Sequence, residues 1–356
     1  MSAVSTLTPH AADSERALVL PPEPAQPPPR WRHALSFSNI GAVYVWLMII
    51  VVFAVWVPTT FLTQTTFNQI LNNNAVTGLV ALSVVIPLAA RVFDLSIAFT
   101  MTLSGVTVAH FVAQTDVGVL PAVLLALGAA LAVGLVNGFV VVGLGVDSFI
   151  ATLATGSLIK AFITMVTDDQ SITGVKLLRA PFSSIAQTDI AGLTLPVLYL
   201  LVIAAAIWFV LEHTATGRRL YATGFNPDAA RLQSVRTDRL RFLSLVTSAL
   251  LAGVAGIVFA SSIGSGSPTA GDPYLLAAYA AAFLGATQLR GGRFNAWGTV
   301  IAVLLLGTGT TGLSLASTPQ WSTSVFTGVV LIVALAVTAG KVHVPARLRR
   351  RAAPAS

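Results

Sequence analysis

Long apolar runs, separated by short polar patches, dominate the chain. Residues 34–90 contain no Asp, Glu, Lys or Arg, and the same is true of 95–115, 117–146, 190–211, 242–271 and 294–340. An α-helix rises 1.5 Å per residue, so roughly 20 apolar residues cross a hydrocarbon core of about 30 Å. Barrel strands would instead alternate apolar and polar positions in segments of about ten residues, and that pattern is missing from these runs. The periodicity predicts an all-α polytopic membrane protein with about ten transmembrane helices. They fall near 41–62, 70–90, 95–114, 118–143, 148–166, 193–211, 243–263, 274–289, 295–315 and 322–339.

The breaks have local causes. "NQILNNN" (68–74) is rich in amides, "KLLRAPFSSIAQTD" (176–189) is polar, "GSGSPTAGDP" (264–273) is built of turn formers, and "STPQW" (317–321) carries Pro319. Residues 1–40 include "LPPEPAQPPPRWRH", which cannot form a helix interior. They are expected to be a disordered tail, followed by a permeation body over 41–340 and a basic tail over 341–356.

Polar positions then fix the sidedness. Lys and Arg collect in cytoplasmic loops of membrane proteins. With Arg30 and Arg32 inside, ten crossings put 212–242, "LRGGRFN" (289–295) and "KVHVPARLRRR" (341–351) on that same side. The opposite loops hold Asp116, Asp168, Asp169, Asp189 and Asp272, with only Lys176 and Arg179. Both termini are therefore expected in the cytoplasm.

Within 212–242 the stretch "NPDAARLQSV" (226–235) reads as a helix start. Asn226 is a candidate N-cap, Pro227 suits the first helical position, and Asp228 lies near the positive end of the helix dipole. Arg231, Arg236, Arg239 and Arg241 crowd this loop in a chain of which only 9% is charged. A solvated loop whose arginines fix topology would show the same charge, whereas the capping pattern favours a short amphipathic helix made for docking.

Composition agrees. The chain is 55% apolar, with a mean hydropathy of +0.83, too little polar surface for a soluble globule of 356 residues. The net charge of +7 resides in loops rather than in a nucleic-acid-binding face. Absence of cysteine excludes a thiolate metal site or a cysteine nucleophile. No Gly-x-x-x-x-Gly-Lys-Ser/Thr occurs, so ATP is not bound by that route.

"GRRLYATGFNPDAARLQSV" (217–235) resembles the cytoplasmic loop of permease subunits of bacterial sugar-importing ABC transporters, the ribose/xylose/autoinducer-2 group. "VFDLSIAF" (92–99), "GLVNGFVVVGLGVDSFIATLATGSLIK" (134–160) and "PTAGDPYLLAAYAAAFLGATQLRGGRFNAWGT" (268–299) are similar to further stretches of that family, in the same order. The glycines that precede the family's acidic signature are absent from 90–93, and the one after its Gly-Gly-Arg is Phe294. The resemblance implies a fold like the type II importer arrangement, in the bacterial inner membrane, carrying a monosaccharide or related polyol. It also implies a separate ATP-binding subunit holding ATP and Mg, a periplasmic or extracellular solute-binding protein, and a second permease subunit, identical or not. This chain itself would bind no cofactor and catalyse nothing. The related branched-chain amino-acid permeases share the layout, but their loop carries Asp or Glu before Ala-Ala-Arg where this chain has Asn-Pro-Asp.

Under that resemblance Gly224, Asn226, Pro227, Asp228, Ala229, Ala230 and Arg231 form the coupling segment. Asp94, Ser96, Arg290, Gly291, Gly292 and Arg293 belong to an inner gate or its loop. Asp94 alternatively reads as an interfacial acid paired with Arg91, three residues earlier. Lys160 interrupts a span, where it either snorkels to the outer interface or meets substrate in a water-filled path. Asn137, Phe149, Thr152 and Thr155 are further pathway candidates, with helix packing beside Gly134, Gly138 and Gly156 as the alternative. The stretches 90–105 and 289–307 suggest two weakly similar halves, read as parallel repeats. An ion-coupled secondary transporter is disfavoured, because acidic or His residues near spans reduce to Asp94 and His110. A membrane enzyme lacks any nucleophile–base arrangement.

Overall fold

A computed structural model describes residues 37–287 and 292–340, without the side chains of 37–42 and 334–340. The remaining residues of both tails, together with Arg290 and Gly291, lie outside the described residues. The chain folds into helices α1 (Phe37–Trp56), α2 (Pro58–Phe61), α3 (Gln64–Ala89), α4 (Ile97–Gln114), α5 (Val119–Gly138), α6 (Ser148–Thr167) and α7 (Ser184–Gln187). A minimal hairpin follows, β1 (Asp189–Ile190) with β2 (Leu193–Thr194). Then come α8 (Leu195–His213), α9 (Ala215–Phe225), α10 (Pro227–Leu232), α11 (Thr237–Ile263), α12 (Tyr274–Ala286), α13 (Ala296–Leu315) and α14 (Gln320–Gly340). Among the described residues seven helices are long and apolar enough to cross a membrane, and the apolar parts of α1, α12 and α14 are shorter. The protein is a multi-pass membrane protein.

The amide-rich stretch 68–74 does not break the chain as expected; it is the second and third turns of α3. The break lies earlier, at Val57–Thr63, where Pro58 starts a new turn and the Thr63 hydroxyl caps α3 by accepting from the Thr66 amide at 3.1 Å. The asparagines stay helical because their side chains find partners. Asn74 Nδ2 donates to the Ile70 carbonyl at 2.8 Å. Asn72 reaches the hairpin, donating to the Gly192 carbonyl at 3.2 Å and accepting from the Thr194 amide at 3.0 Å.

Two helices form the axis of the bundle. α3 packs on α8, α11, α12 and α13, while α11 packs on α3, α4 and α5. From Leu79 to Val85, α3 is essentially inaccessible. With no hydrophobic drive between helices in lipid, close contact depends on small residues. Gly253 of α11 fits against Ala130 of α5, and Gly256 lies on the backbone of α4 at Met101. The Ser104 hydroxyl donates to the Gly253 carbonyl at 2.9 Å, tying the same helices together.

The contacts reveal a symmetry different from the expected one. α3 packs on α12 and α13, as α11 packs on α4 and α5; α4 lies against α6, as α12 lies against α14. These equivalences relate helices five apolar helices apart. Because successive helices alternate in direction, an odd offset makes equivalent helices run opposite ways. The halves are inverted, not parallel. The likeness of 90–105 to 289–307 pairs α4 with α13, an even offset, which concealed this.

Candidate functional site

Two interruptions of regular helix occur inside the bundle, one in each half. Pro87, unable to donate an amide hydrogen bond, sits in the last turn of α3. Residues 90–96 then run irregularly, with Arg91 at a left-handed φ of 58°, before α4 begins. Side chains of other helices take up the freed amides. Phe93 N donates to Ser148 Oγ (3.1 Å), Asp94 N to Tyr279 Oη (3.0 Å), and Leu95 N to Thr152 Oγ1 (2.9 Å).

Asp94 is fully buried and does not pair with Arg91, whose side chain is exposed; the expected interfacial pair is not formed. Its Oδ1 accepts from the Ser96 hydroxyl at 2.6 Å and the Ser96 amide at 3.1 Å, and Asn137 Nδ2 donates to Ser96 Oγ at 2.8 Å. Asn137 lies in the last turn of α5, with only Gly138 between it and a π-turn, Phe139–Gly143. Such turns re-aim side chains at functional positions. Asp94 Oδ2, Asn137 Oδ1 and Ser248 Oγ are buried with no partner at good hydrogen-bond geometry, although Ser248 lies beside the Asp94 carboxylate. Thus Asp94, Ser96, Asn137 and Thr152 form one cluster, to which Ser148, Ser248 and Tyr279 add residues that the sequence did not single out.

The second interruption is 264–273, between α11 and α12. Read from its turn formers as an ordinary connection, it instead lies along α4. Gly266 meets Val106 and Ala109, and Gly271 meets Ala98. The Gly271 amide donates to Thr102 Oγ1 at 2.9 Å, and a methyl group on Gly271 would overlap the Ala98 carbonyl oxygen. As a result α12 has only 13 residues, about 20 Å of helix.

Helix α6 borders both interruptions. Its N-cap Asp147 accepts from the Phe149 and Ile150 amides at 3.0 and 3.3 Å. Ser148 and Thr152 hold 93–95, and Gly156 receives the Phe99 ring. Further along, Lys160 does not snorkel unaccompanied; its Nζ stands 3.2 Å from Asp272 Oδ2. Of the other pathway candidates, half-exposed Phe149 meets the Phe93 ring edge-on at 6.3 Å, and Thr155 returns its hydroxyl to the Ala151 carbonyl at 3.0 Å. Neither joins the Asp94 cluster.

At one end of the bundle the polar connection 212–242 is more helical than expected. Before the predicted helix comes α9, capped by the Thr214 hydroxyl at the Gly217 amide (3.2 Å). Asn226 caps α10 as expected, Oδ1 accepting from the Ala229 amide at 3.0 Å, with Pro227 first and Asp228 in the first turn. The helix stops at Leu232 rather than continuing to 235, because Ser234 takes a left-handed φ of 60° and the Val235 amide returns to the Ala230 carbonyl. Arg231 fastens α10 to α11, with Nε on Thr237 Oγ1 at 2.8 Å and Nη2 on Asp238 Oδ1 at 2.6 Å. Ala230 is buried beneath the loop, while Ala229 is exposed. Gly224 lets α9 touch the end of α3, since a methyl group there would overlap the Ala89 carbonyl oxygen.

Beside this loop a cleft of about 740 Å³ is rimmed by Arg91, Arg218 and Arg293, with Tyr221, Phe225 and Gly292 in its wall. Tyr221 Oη donates to the Phe294 carbonyl at 2.7 Å, and the Arg293 guanidinium lies 5.6 Å from the Tyr221 ring centre. Phe225 and Leu232 are 89% and 86% exposed, unusual for large apolar side chains on a polar loop. Among the described residues, no three His, Asp or Glu side chains converge as a metal site.

A family model described as the permease component of branched-chain amino acid transport systems matches residues 66–335. The ribose import permease protein of Bacillus subtilis is 30% identical over 294 residues, covering 82% of this chain and 90% of that protein. Its counterpart in Escherichia coli K12 is 31% identical over 292 residues, with the same coverage of both. The fructose import permease protein of Rhizobium meliloti is 28% identical over 313 residues, 86% of this chain and 87% of its own length. No solved structure matches significantly.

Proposed function

Since the chain belongs to the family of permease components of branched-chain amino acid transport systems, we propose that it is the membrane subunit of an ATP-driven importer. It would form the path by which a monosaccharide or related polyol crosses the bacterial cytoplasmic membrane. The observation that carries the substrate class is the likeness to ribose and fructose import permeases over more than four fifths of the chain.

The basic end of the bundle faces the cytoplasm in this reading, because Arg91, Arg218, Arg231, Arg236, Arg239, Arg241 and Arg293 gather there, in loops and helix ends. Tails 1–40 and 341–356 lie on that side, and 41–340 forms the permeation body. α10 and the exposed Phe225 and Leu232 dock on a separate ATP-binding subunit, which holds ATP and Mg. Arg231 carries force from α10 into α11 through Thr237 and Asp238. The opposite end receives a solute-binding protein, and a second permease subunit completes the path.

Irregular segments in the bundle interior are where helices yield without losing hydrogen bonds to lipid. Segment 90–96, with Asp94 and Ser96, lies near the basic end and acts as the inner gate, together with the 290–293 turn. Asn137 and Thr152 hold that gate from α5 and α6, Thr155 stands between it and the Lys160 level, and Phe149 lies at the cytoplasmic end of α6.

Reconstitution of the chain with its ATP-binding and solute-binding partners tests this reading. ATP-dependent uptake is expected for one or more of D-ribose, D-allose, D-fructose and L-arabinose. A Gly/Ser linker in place of 226–231 should abolish uptake and co-purification with the ATP-binding subunit, while membrane insertion persists. The family description favours a branched-chain amino acid as the second reading, and uptake of L-leucine alone would select it. Accumulation driven by an ion gradient without ATP would refute both.

A further inference from the structure

Lys160 and Asp272 are the acid and base of an ion pair placed where a membrane protein seldom keeps one. Lys160 lies seven residues from the end of α6, roughly 10 Å inside the helix at 1.5 Å per residue. Asp272 is held at the same depth by segment 264–273, whose course along α4 is fixed by the Gly271–Thr102 hydrogen bond. Both side chains remain accessible, 51% for Lys160 and 42% for Asp272. Facing lipid, a charge at this depth is costly, and lipid-exposed irregular backbone such as 264–273 does not occur in the hydrocarbon region. The pair and its segment therefore border water.

The surroundings are hydroxylic. Ser157 and Thr164 lie three residues before and four residues after Lys160 on α6, and Ser157 is exposed. Thr269 is exposed on the interrupted segment. An ammonium group has three N–H donors, and Asp272 Oδ2 engages one. Asp272 Oδ1 keeps its lone pairs, so the pair presents donors and an acceptor side by side with no net charge. Two neighbouring hydroxyls of a polyol match that arrangement: one accepts from Lys160 while the other donates to Asp272.

We propose that Lys160 and Asp272 form a binding site for a vicinal diol in the permeation path, and that they distinguish sugars from their deoxy analogues. The proposal rests on the sugar-importer reading above and adds the contact by which this chain itself selects its cargo. A site that hydrogen-bonds a hydroxyl rejects an analogue lacking it far more strongly than an apolar pocket rejects a missing methylene, because the site's own polar groups are left unpaired; removing a site group therefore erases the discrimination.

The assembled importer in proteoliposomes tests it. The chain has no cysteine, so Lys160→Cys and, as a control on an exposed apolar side of α6, Leu158→Cys give unique thiols. A membrane-impermeant methanethiosulfonate reagent should modify Lys160→Cys and spare Leu158→Cys, and the transported sugar should slow the reaction. Lys160→Met and Asp272→Asn should each raise KM at least tenfold. They should also bring the kcat/KM ratio of that sugar to its deoxy analogue close to one, with insertion unchanged. A Lys160→Asp/Asp272→Lys exchange keeps an ion pair but inverts the donors, so a structural role predicts recovery of the ratio and a binding role predicts none. An unmodified Lys160→Cys, or sugar uptake whose selectivity survives Lys160→Met, overturns the site while leaving the importer reading intact. Failure of the wild-type assembly to move any sugar overturns both.

Discussion

Tyr279→Phe removes one oxygen from α12 and nothing else. That oxygen accepts the Asp94 amide at 3.0 Å, and both residues are buried, Asp94 completely. Pro87 and the irregular course of 90–96 leave no helical carbonyl to replace it. The amide is then a buried donor without an acceptor, a condition that costs about 1–3 kcal/mol. Phe fits the same space between Phe93, whose ring is stacked at 6.5 Å, and Phe283 at 6.2 Å, so no cavity adds to the loss. Chemical denaturation of the purified protein in mixed micelles should show unfolding free energy lower by that amount. Tyr274→Phe supplies the control on the same helix. That ring packs edge-on against Phe259 at 5.6 Å, and its change should stay within about 0.5 kcal/mol. If the two variants lose stability equally, the Asp94 amide does not depend on Tyr279, and the account of segment 90–96 as a helix break held by neighbouring side chains is wrong.

Asn226→Ala should weaken the start of α10 by about 0.5–2 kcal/mol, since the Ala229 amide loses its cap; co-purification with the ATP-binding subunit should fall, and Asn226→Asp should restore it. Phe225→Asp and Leu232→Asp touch little of the chain itself and should leave thermal stability unchanged while abolishing stimulation of the partner's ATPase activity. Gly271→Val should force segment 264–273 away from the Ala98 carbonyl, and accelerated proteolysis at that segment is the check.

Much of the architecture was legible because bilayer thickness constrains sequence so directly. Apolar run length located the helices, and Asn226-Pro227-Asp228 announced α10 through capping chemistry that acts over four residues. Signals failed where a partner distant in sequence decides the outcome. Asn72 stays helical because, some 120 residues away, the Gly192 carbonyl accepts from its side-chain amide and the Thr194 amide donates to it. Lys160 waits on Asp272, 112 residues later, and Asp94 on Tyr279, 185 later. Segment 264–273 misled for another reason: Gly, Ser and Pro mark irregular backbone equally well in a solvent turn and in a helix break against another helix. Ser248 carried no local signal that sets it apart from the other hydroxyl residues of α11.

The exchanged pairing of the two halves has a mechanical consequence. Each half supplies an axial helix to the other's flanking pair, and each contains one break, at 90–96 near the basic end and at 264–273 on the opposite side of the bundle's middle. A rearrangement that slackens the first half and tightens the second has a twin in which their roles are swapped, built from like contacts. In the proposed importer, a pull at α10 would reach this see-saw through the Arg231–Asp238 contact with α11, one of its two axial helices.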